Sequence, residues 1–316
     1  MARRRPASPE LEGIRTRKYN LRESVAGYLF ISPWIAGLLI FTVISMGWSL
    51  VLSFQHFDLS TGIGRPAGFD NYRLIFSDPK VGTSLRNTFF YALLAVPLDI
   101  AVALFLALLL RGVRRGSGIF RTIYYLPKMT PGVATAAVFL LLLNGNEGAI
   151  NKALGLLHIP GPQWLVDPAW VKPSIVLMSL WGVGGSMVIL LAALQGVPPE
   201  LYEAAAVDGA GRRARFFRIT LPLISPTLFF LVIVNTIGAL QVFDQAFLLF
   251  YRDGNSNAPD AALFYGVYLY QQAFQQFNFG QAAAMAWVLF VIIMIITVIQ
   301  ITVGNKLVFY EGGGPR

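Results

Sequence analysis

The stretch AAAMAWVLFVIIMIITVIQIT, residues 282–302, has no charged side chain and is apolar over most of its length. In an α-helix, about 20 such residues are enough to cross the hydrocarbon core of a bilayer. The whole chain has a similar character, because 55% of its 316 residues are hydrophobic and 13% are charged. Soluble domains carry about 25% charged residues. The sequence therefore predicts an integral membrane protein.

Other runs along the chain have a comparable length and character. They predict helices rather than barrel strands, because strands are shorter and alternate between apolar and polar residues. The first run is longer than a signal-peptide core and no small-residue cleavage site follows it, so we expect it to be retained. The predicted spans are Tyr28–Ser53, Leu85–Leu110, Ile123–Leu143, Ser174–Leu194, Leu221–Phe250 and Ala282–Thr302.

Basic residues are concentrated in the N-terminal tail and in the loops around 111–121 and 212–218. By the positive-inside rule, this distribution predicts that both termini are cytoplasmic. The net charge of +9 is then explained by the membrane topology and by contact with anionic membrane lipids. Binding to nucleic acid is not expected, because it would need a folded basic domain. The predicted organisation is a basic tail (1–27), a six-helix membrane domain (28–302) and a C-terminal tail (303–316).

Several classes of function are not expected from this composition. The chain has no cysteine, and its two histidines, His56 and His158, are far apart, so neither a thiol nucleophile nor a zinc site is predicted. No Gly-x-x-x-x-Gly-Lys-[Ser/Thr] segment is present, and the loops are too short for a nucleotide-binding domain. We therefore expect no catalytic residue, metal or cofactor in this chain.

The loop QGVPPELYEAAAVDGAGRRARFFRITLP, residues 195–222, has a helical pattern of its own. Pro198 and Pro199 suit a helix start, and the acidic residues that follow suit the first turn. Gly209 and Gly211 predict its end. The alanine face would let this helix enter a groove of another protein, but the residues taken alone favour a solvated linker helix that lies on the bilayer surface. Both interpretations remain open.

The same loop closely resembles the EAA loop of bacterial ABC-importer permeases. The matching residues are Glu203-Ala204-Ala205, Asp208-Gly209-Ala210, Phe217, Ile219 and Leu221-Pro222. The resemblance implies that residues 198–215 form a coupling helix that docks into a cleft on a cytoplasmic ATPase subunit. The residues implied in this contact are Glu200, Glu203, Ala204, Ala205, Asp208, Gly209, Ala210 and Gly211.

Within this family the chain is most similar to the MalF-type sugar permeases, through segments such as Tyr125-Leu126-Pro127, Phe243-Asp244 and Tyr270–Phe274. The resemblance implies an all-α, MetI/MalF-like type I importer fold in the bacterial cytoplasmic (inner) membrane. It also implies a second related permease, two ATPase subunits that bind ATP and Mg²⁺, an extracytoplasmic solute-binding protein and a sugar substrate. Residues 252–259 depart from the Gly-Gly-Pro turn usual in these permeases, which leaves the contacts of that loop open.

Charged residues at membrane depth are costly, so each is a candidate for function. Asp99 and Lys128 suit either an interhelical pair or the lining of a transport pathway. Asp244 lies toward the end of the fifth predicted span, where a capping or interface role is favoured.

Small and neutral polar residues mark a predicted substrate path. Asn235, Gly238 and Ala239 share one face of the fifth predicted span, and residues 181–186 predict an unwound turn of the kind that lines cavities. Amides suit a hydroxyl-rich ligand, although helix packing through amides is an alternative. The candidates are Lys128, Gly182, Val183, Ser186, Asn235, Gly238, Ala239 and Gln241.

Two other functions are compatible with part of this pattern. An importer of the same type could carry a non-sugar solute such as glycerol phosphate. An ion-coupled secondary transporter could use Asp99, Lys128 and Asp244 as an ion relay, but it would not need a helix that docks onto an ATPase.

Overall fold

The computed structural model describes residues 21–58, 62–113, 115–251 and 258–308. The chain divides into two compact units, Met1–Val51 and Leu52–Arg316. We therefore describe each unit by itself.

The first unit contains one long apolar helical stretch. Helix α1 (Leu21–Gly37) continues through a π-helical turn (Leu38–Ile44) into α2 (Ser45–Ser53). Helix α1 thus begins inside the predicted basic tail, the rest of which lies outside the described residues. The stretch Ser24–Ser53 is long and apolar enough to cross a membrane, which agrees with the first predicted span.

The second unit begins with a short β-hairpin. Strands β1 (Gln55–Asp58) and β2 (Ile63–Pro66) are antiparallel, with Gln55 opposite Pro66. Helix α3 (Asp70–Ser77) follows, and the chain then enters the long helix α4 (Pro79–Arg111). The Asp78 side chain accepts a hydrogen bond from the Lys80 backbone N–H and so caps α4, with proline as its first residue.

The remaining helices of the described part complete an almost entirely α-helical unit. They are α5 (Ser117–Met129), α6 (Gly132–Leu142), α7 (Ala149–Leu156), α8 (Pro168–Leu180), α9 (Gly184–Gln195), α10 (Pro199–Val207), α11 (Arg212–Arg215), α12 (Leu221–Leu240), α13 (Asp244–Phe250), α14 (Tyr265–Tyr270) and α15 (Phe279–Leu307). Shorter turns are the π-helical turns Phe216–Thr220 and Gln271–Gln275 and the 3₁₀ turn Asp260–Ala262.

The number of spans agrees with the prediction if each bent helix pair is one crossing. Four stretches are long and apolar enough to cross a membrane singly, and two bent pairs, α5 with α6 and α8 with α9, pass the same test together. The last helix continues to Leu307, beyond the predicted boundary at 302. The predicted C-terminal tail lies largely outside the described residues.

The third predicted span is not one straight helix. Helices α5 and α6 meet at an angle of 96°. The cause is local, because a proline disfavours helical geometry in the residue before it, and Thr130, before Pro131, has φ −73° and ψ 131°. The expectation of a continuous helix over 123–143 was therefore wrong.

The fourth and fifth spans are also interrupted. Helices α8 and α9 are bent by 52° at a turn through residues 181–183, where the sequence predicted an unwound segment. Helix α12 ends at Leu240 and α13 begins at Asp244. The fifth predicted span thus has a break, not predicted, at residues 241–243.

Two hydrophobic cores hold the second unit together, and α4 contributes to both. One core is built around the fully buried Phe264 and Tyr265. The other packs Ala103 and Ala107 of α4 against α9 and α12. Small side chains at these positions allow close approach of helices, which is how helices pack where lipid removes the hydrophobic drive.

Candidate functional site: a polar groove between the spans and an exposed loop helix

A groove of about 590 Å³ lies among α4, α5, α6, α8, α9, α12 and α13. It brings together residues that are far apart in the sequence. Most of the predicted path residues and both intramembrane acids line it, namely Asp99, Lys128, Gly182, Ser186, Asn235, Gly238, Ala239 and Asp244. Several lining residues, among them Phe230, Val234 and Asp244, are exposed, so the wall of the groove is incomplete in this chain alone.

Asp99 is the centre of the polar contacts in the groove. One of its carboxylate oxygens, Oδ2, accepts a hydrogen bond from Ser186 Oγ at 2.7 Å and another from Asn235 Nδ2, also at 2.7 Å. The three residues come from α4, α9 and α12. Hydrogen bonds to a carboxylate are stronger than neutral ones, so Asp99 ties three spans together at the groove wall.

Lys128 and Asp99 both line the groove, which was one of the two alternatives for these residues, and they do not form the interhelical ion pair that was the other. Within the described part of the chain, Lys128 has no salt-bridge partner. Its aliphatic stem runs beside the turn of the fourth span, where a β-carbon added at Gly182 would lie 3.6 Å from Lys128 Cδ. The exposed ammonium group is therefore available to a solute in the groove.

The start of α9 packs directly against the backbone of α5. A β-carbon added at Gly184 would lie 2.0 Å from the Tyr124 carbonyl oxygen and 2.7 Å from its carbonyl carbon. No real side chain fits at these distances. This close approach holds α5, which carries Lys128, directly against α9, which carries Ser186.

We predict that Gly184→Ala destabilises the permease by about 1–3 kcal/mol, the usual cost of overpacking. The matched control is Gly185→Ala, because a β-carbon at Gly185 would meet only the Lys128 side chain, at 3.9 Å. The midpoint of thermal unfolding of the purified transporter in detergent measures the difference. Equal midpoints for the two variants would contradict this packing.

The groove does not include two of the predicted path residues. Val183 is buried in the core formed with α4 and α12. Gln241 is exposed at the break between α12 and α13 and is not among the lining residues of the groove. In its place Gln245, from the next helix, lines the groove.

Sequence reasoning missed other lining residues. Tyr91 is buried, lines the groove and lies on the same face of α4 as Ala95 and Asp99, at a spacing of four residues that could have revealed it. Trp181 belongs to the turn that was predicted to line a cavity, and it does line the groove; its ring contacts that of Phe139 edge-on, with centroids 5.9 Å apart. The aromatic rings give the polar groove apolar surfaces as well.

The helix predicted from the loop 195–222 is present and exposed. Helix α10 starts at Pro199, and Glu200, Glu203 and Asp208 are all exposed. Val207 is 89% exposed, although it is a large apolar residue. An apolar side chain so exposed beside acidic ones is typical of a contact surface.

The C-terminus of α10 has a Schellman motif. Ala210 N–H donates to the Ala205 carbonyl at 2.8 Å, and Gly209 N–H donates to the Ala206 carbonyl at 3.1 Å. Gly209 has φ +76°, a conformation that glycine adopts without the steric cost other residues incur. The predicted helix end at Gly209 is confirmed, and Gly211 is the residue before α11.

Helix α10 is connected to two spans through one side chain. The Tyr202 hydroxyl accepts a hydrogen bond from Arg111 Nη1, at the end of α4, and lies 2.8 Å from Thr220 Oγ1, just before α12. The Arg111 guanidinium also lies over the Tyr202 ring, 4.8 Å from its centroid. Both α4 and α12 line the groove, so Tyr202 connects α10 to the two helices that carry Asp99 and Asn235.

Comparisons with known proteins agree with this geometry. The family described as "Binding-protein-dependent transport system inner membrane component" matches residues 99–306. The chain belongs to this family: it is a multi-pass membrane permease, a non-catalytic transport component that works with a binding protein. The predicted all-α importer-permease fold is confirmed.

Particular relatives are similar over nearly their full length. The chain is 41% identical to the "Probable ABC transporter permease protein YesP" of Bacillus subtilis, over 92% of this chain and 94% of that protein. It is 33% identical to the "Lactose transport system permease protein LacF" of Rhizobium radiobacter, over 87% and 93% respectively. A solved bacterial alginate ABC transporter in complex with its alginate-bound periplasmic protein has a similar chain, with a TM-score of 0.80, 25% identity and coverage of 91% and 96%.

Proposed function

We propose that this chain is one of two permease subunits of an ATP-driven sugar importer and forms half of its translocation pathway. The observation that carries the proposal is the groove, in which a carboxylate, a hydroxyl and an amide (Asp99, Ser186 and Asn235) meet beside exposed aromatic and small residues. Such a surface can exchange hydrogen bonds with hydroxyl groups while its rings contact sugar C–H faces. Relatives named for the transport of lactose, arabinooligosaccharides and trehalose/maltose support this cargo.

In this proposal the open side of the groove is closed by a second, related permease. Helix α10 docks into a cytoplasmic ATPase subunit, through residues 198–211, and two such subunits bind ATP and Mg²⁺. Closure of the ATPases moves α10, and the Tyr202 contacts pass that movement to α4 and α12, which alternates access to the groove. An external binding protein delivers the sugar. Both termini and α10 lie on the cytoplasmic side.

The cargo is tested with the importer reconstituted in proteoliposomes with its second permease, ATPases and binding protein. We expect ATP-dependent uptake of at least one sugar from a panel of lactose, maltose, trehalose and arabino-oligosaccharides. Uptake of none of them, with binding-protein-stimulated ATP hydrolysis intact, would contradict the sugar proposal.

One observation favours a second cargo class, a small anionic solute. Lys128 presents an ammonium group in the groove without a salt-bridge partner among the described residues, and a 30% identical relative is named for sn-glycerol-3-phosphate transport. The same assay with sn-glycerol-3-phosphate distinguishes the two classes. Lys128→Met should abolish uptake of the anion and leave uptake of a neutral sugar largely intact.

The orientation of the chain in the membrane can be tested by labelling single introduced cysteines, because the chain itself contains no cysteine. Val207 in α10 and Leu156 in the loop after the third span are 89% and 83% exposed. We predict that a membrane-impermeant maleimide added to intact cells labels Leu156→Cys and not Val207→Cys. In the purified permease without its ATPase subunits, both should react. Labelling of Val207→Cys in intact cells would reverse the proposed topology.

A further inference from the structure

The segment YQQAFQQFNFGQ, residues 270–281, alternates aromatic and amide side chains. It includes the π-helical turn Gln271–Gln275 and the first turn of α15. Its Phe277 has φ +58° and is 53% exposed. A bulky residue in the left-handed region is strained, and such strain is concentrated at functional sites.

A buried polar network holds this segment in place. The Tyr268 hydroxyl donates to the Asp78 carboxylate and accepts from Gln272 Nε2 at 2.7 Å, and Asn278 Nδ2 donates to Gln272 Oε1 at 3.0 Å. Burial and the hydrogen bond to Asp78 raise the pKa of Tyr268 to about 12. Tyr268 therefore stays protonated, and the network is intact, throughout the physiological pH range.

The aromatic side chains of this segment belong to a longer row of rings. Neighbouring ring centroids are 4.9 to 6.5 Å apart along the whole row. In order, the rings are those of Phe243, Phe247, Tyr270, Phe274, Phe279 and Phe57. The first ring lies between Val242 and Asp244 in the sequence, and both of these residues line the groove.

The other end of the row opens into a second, smaller cavity of about 340 Å³, in which Phe57 is a wall residue. The cavity, which we call the hairpin cleft, lies between the β1–β2 hairpin and the start of α15. Its polar lining residues are Gln55, His56, Arg65, Asn71, Asn278 and Gln281. It belongs to loops on the side of the membrane opposite α10, because an odd number of predicted spans separates them.

Asn71 shows that the hairpin cleft is built to hold a polar ligand. Asn71 is fully buried, and its Nδ2 donates to the Ser53 and Gln55 carbonyls, both at 2.9 Å. These two bonds fix the orientation of the amide and leave Oδ1 buried without a hydrogen-bond partner among the residues that the structure describes. A buried acceptor without a partner is costly, and the hydroxyl group of a ligand in the cleft would satisfy it.

We propose that the hairpin cleft and the row of rings form an outer saccharide subsite that guides the sugar from the binding protein to the groove. The inference rests on the sugar cargo proposed above. Amides of the cleft and of the 270–281 segment bind hydroxyls, and the rings offer apolar faces to the sugar on the way inward. Phe274, at 59% exposure, is the most accessible ring of the row.

The test uses the assembled importer in proteoliposomes, with the panel sugar that the wild type takes up fastest. Phe274→Leu removes a ring, and Gln281→Leu removes an amide of similar size. The control is Phe105→Leu, since Phe105 in α4 is also exposed, at 60%, and lies in neither cavity. Two quantities are measured: sugar taken up per ATP hydrolysed, and the binding-protein concentration that half-saturates ATP hydrolysis.

We expect the first two variants to lower sugar uptake per ATP about two- to tenfold, the effect of losing one aromatic or hydrogen-bonding contact. The half-saturating binding-protein concentration should not change, and Phe105→Leu should match the wild type. If both variants take up as much sugar per ATP as the wild type does, the proposed subsite is wrong. A raised half-saturating concentration would overturn it too, because the surface would then be a docking site for the binding protein. Wild-type protein that transports no panel sugar would instead contradict the underlying cargo proposal.

Discussion

Replacement of Asp99 by alanine is expected to lower the free energy of unfolding of the permease by about 3 kcal/mol and to abolish uptake. Each hydrogen bond to a charged group contributes about 1.5–3 kcal/mol, and Asp99 accepts two, from Ser186 and Asn235. The substitution leaves both donors without a partner and disconnects α4 from α9 and α12. The midpoint of thermal unfolding in detergent and ATP-dependent uptake measure the two effects.

Two further variants test whether the loss of stability is specific to the hydrogen bonds of Asp99. Asp99→Asn keeps a carbonyl oxygen in place, so we expect it to lose less stability than Asp99→Ala. Asp244→Ala removes an acid from the same groove that is exposed and, within the described residues, has no side-chain hydrogen bond, so its unfolding midpoint should stay near that of the wild type. If Asp244→Ala and Asp99→Ala lowered the midpoint equally, the role assigned to Asp99 as a connection between spans would be wrong.

Replacement of Gly209 by alanine is expected to reduce uptake about tenfold or more with little loss of folded permease. A β-carbon at Gly209 would meet no atom within 4 Å, so the effect comes from the backbone alone. The left-handed conformation costs a non-glycine residue about 1–2 kcal/mol, and tenfold corresponds to about 1.4 kcal/mol. To relieve this strain, the loop would lose the Schellman geometry that orients α10 toward the ATPase.

The matched control is Gly118→Ala, because Gly118 also has open space around its β-position but no positive φ. Co-purification of the ATPase subunits and ATP-dependent uptake should both fall in Gly209→Ala and stay unchanged in Gly118→Ala. If Gly209→Ala retained full ATPase association and uptake, α10 would not be the docking helix.

Much of the architecture was predictable because a membrane helix can be recognised from a short, continuous stretch of sequence. An uncharged run near 20 residues has few alternatives to a transmembrane helix, and the loop helix α10 has its proline start and glycine end within a few residues of each other. The unwound turn of the fourth span could be predicted for the same reason. The bend at Thr130 could have been predicted from Pro131, whereas nothing local marks the break at 241–243.

The contents of the groove were only partly predictable. Ser186, Asn235 and Lys128 stood out because polar residues are rare at membrane depth. Tyr91 was missed because aromatic residues in apolar spans usually only pack. Gln241 was named as a path residue on the assumption of a continuous fifth span, which the break at 241–243 interrupts. The sequence left open whether Asp99 and Lys128 pair or line a pathway, because charge alone takes no account of where the helices place the two side chains.

Taken alone, the amino-acid sequence determined that the chain is an all-helical membrane protein with an exposed helix in the loop between the fourth and fifth spans. These properties follow from hydrophobicity, proline and glycine, which act over one or two helical turns. Only the tertiary structure decided that Asp99 bonds to Ser186 and Asn235, and that Tyr202 connects α10 to α4 and α12. It also decided that a row of rings runs from Phe57 in the hairpin cleft to Phe243, the sequence neighbour of two groove residues. Such contacts depend on the rotation and tilt of helices that are distant in sequence, which are set by packing and leave no local pattern.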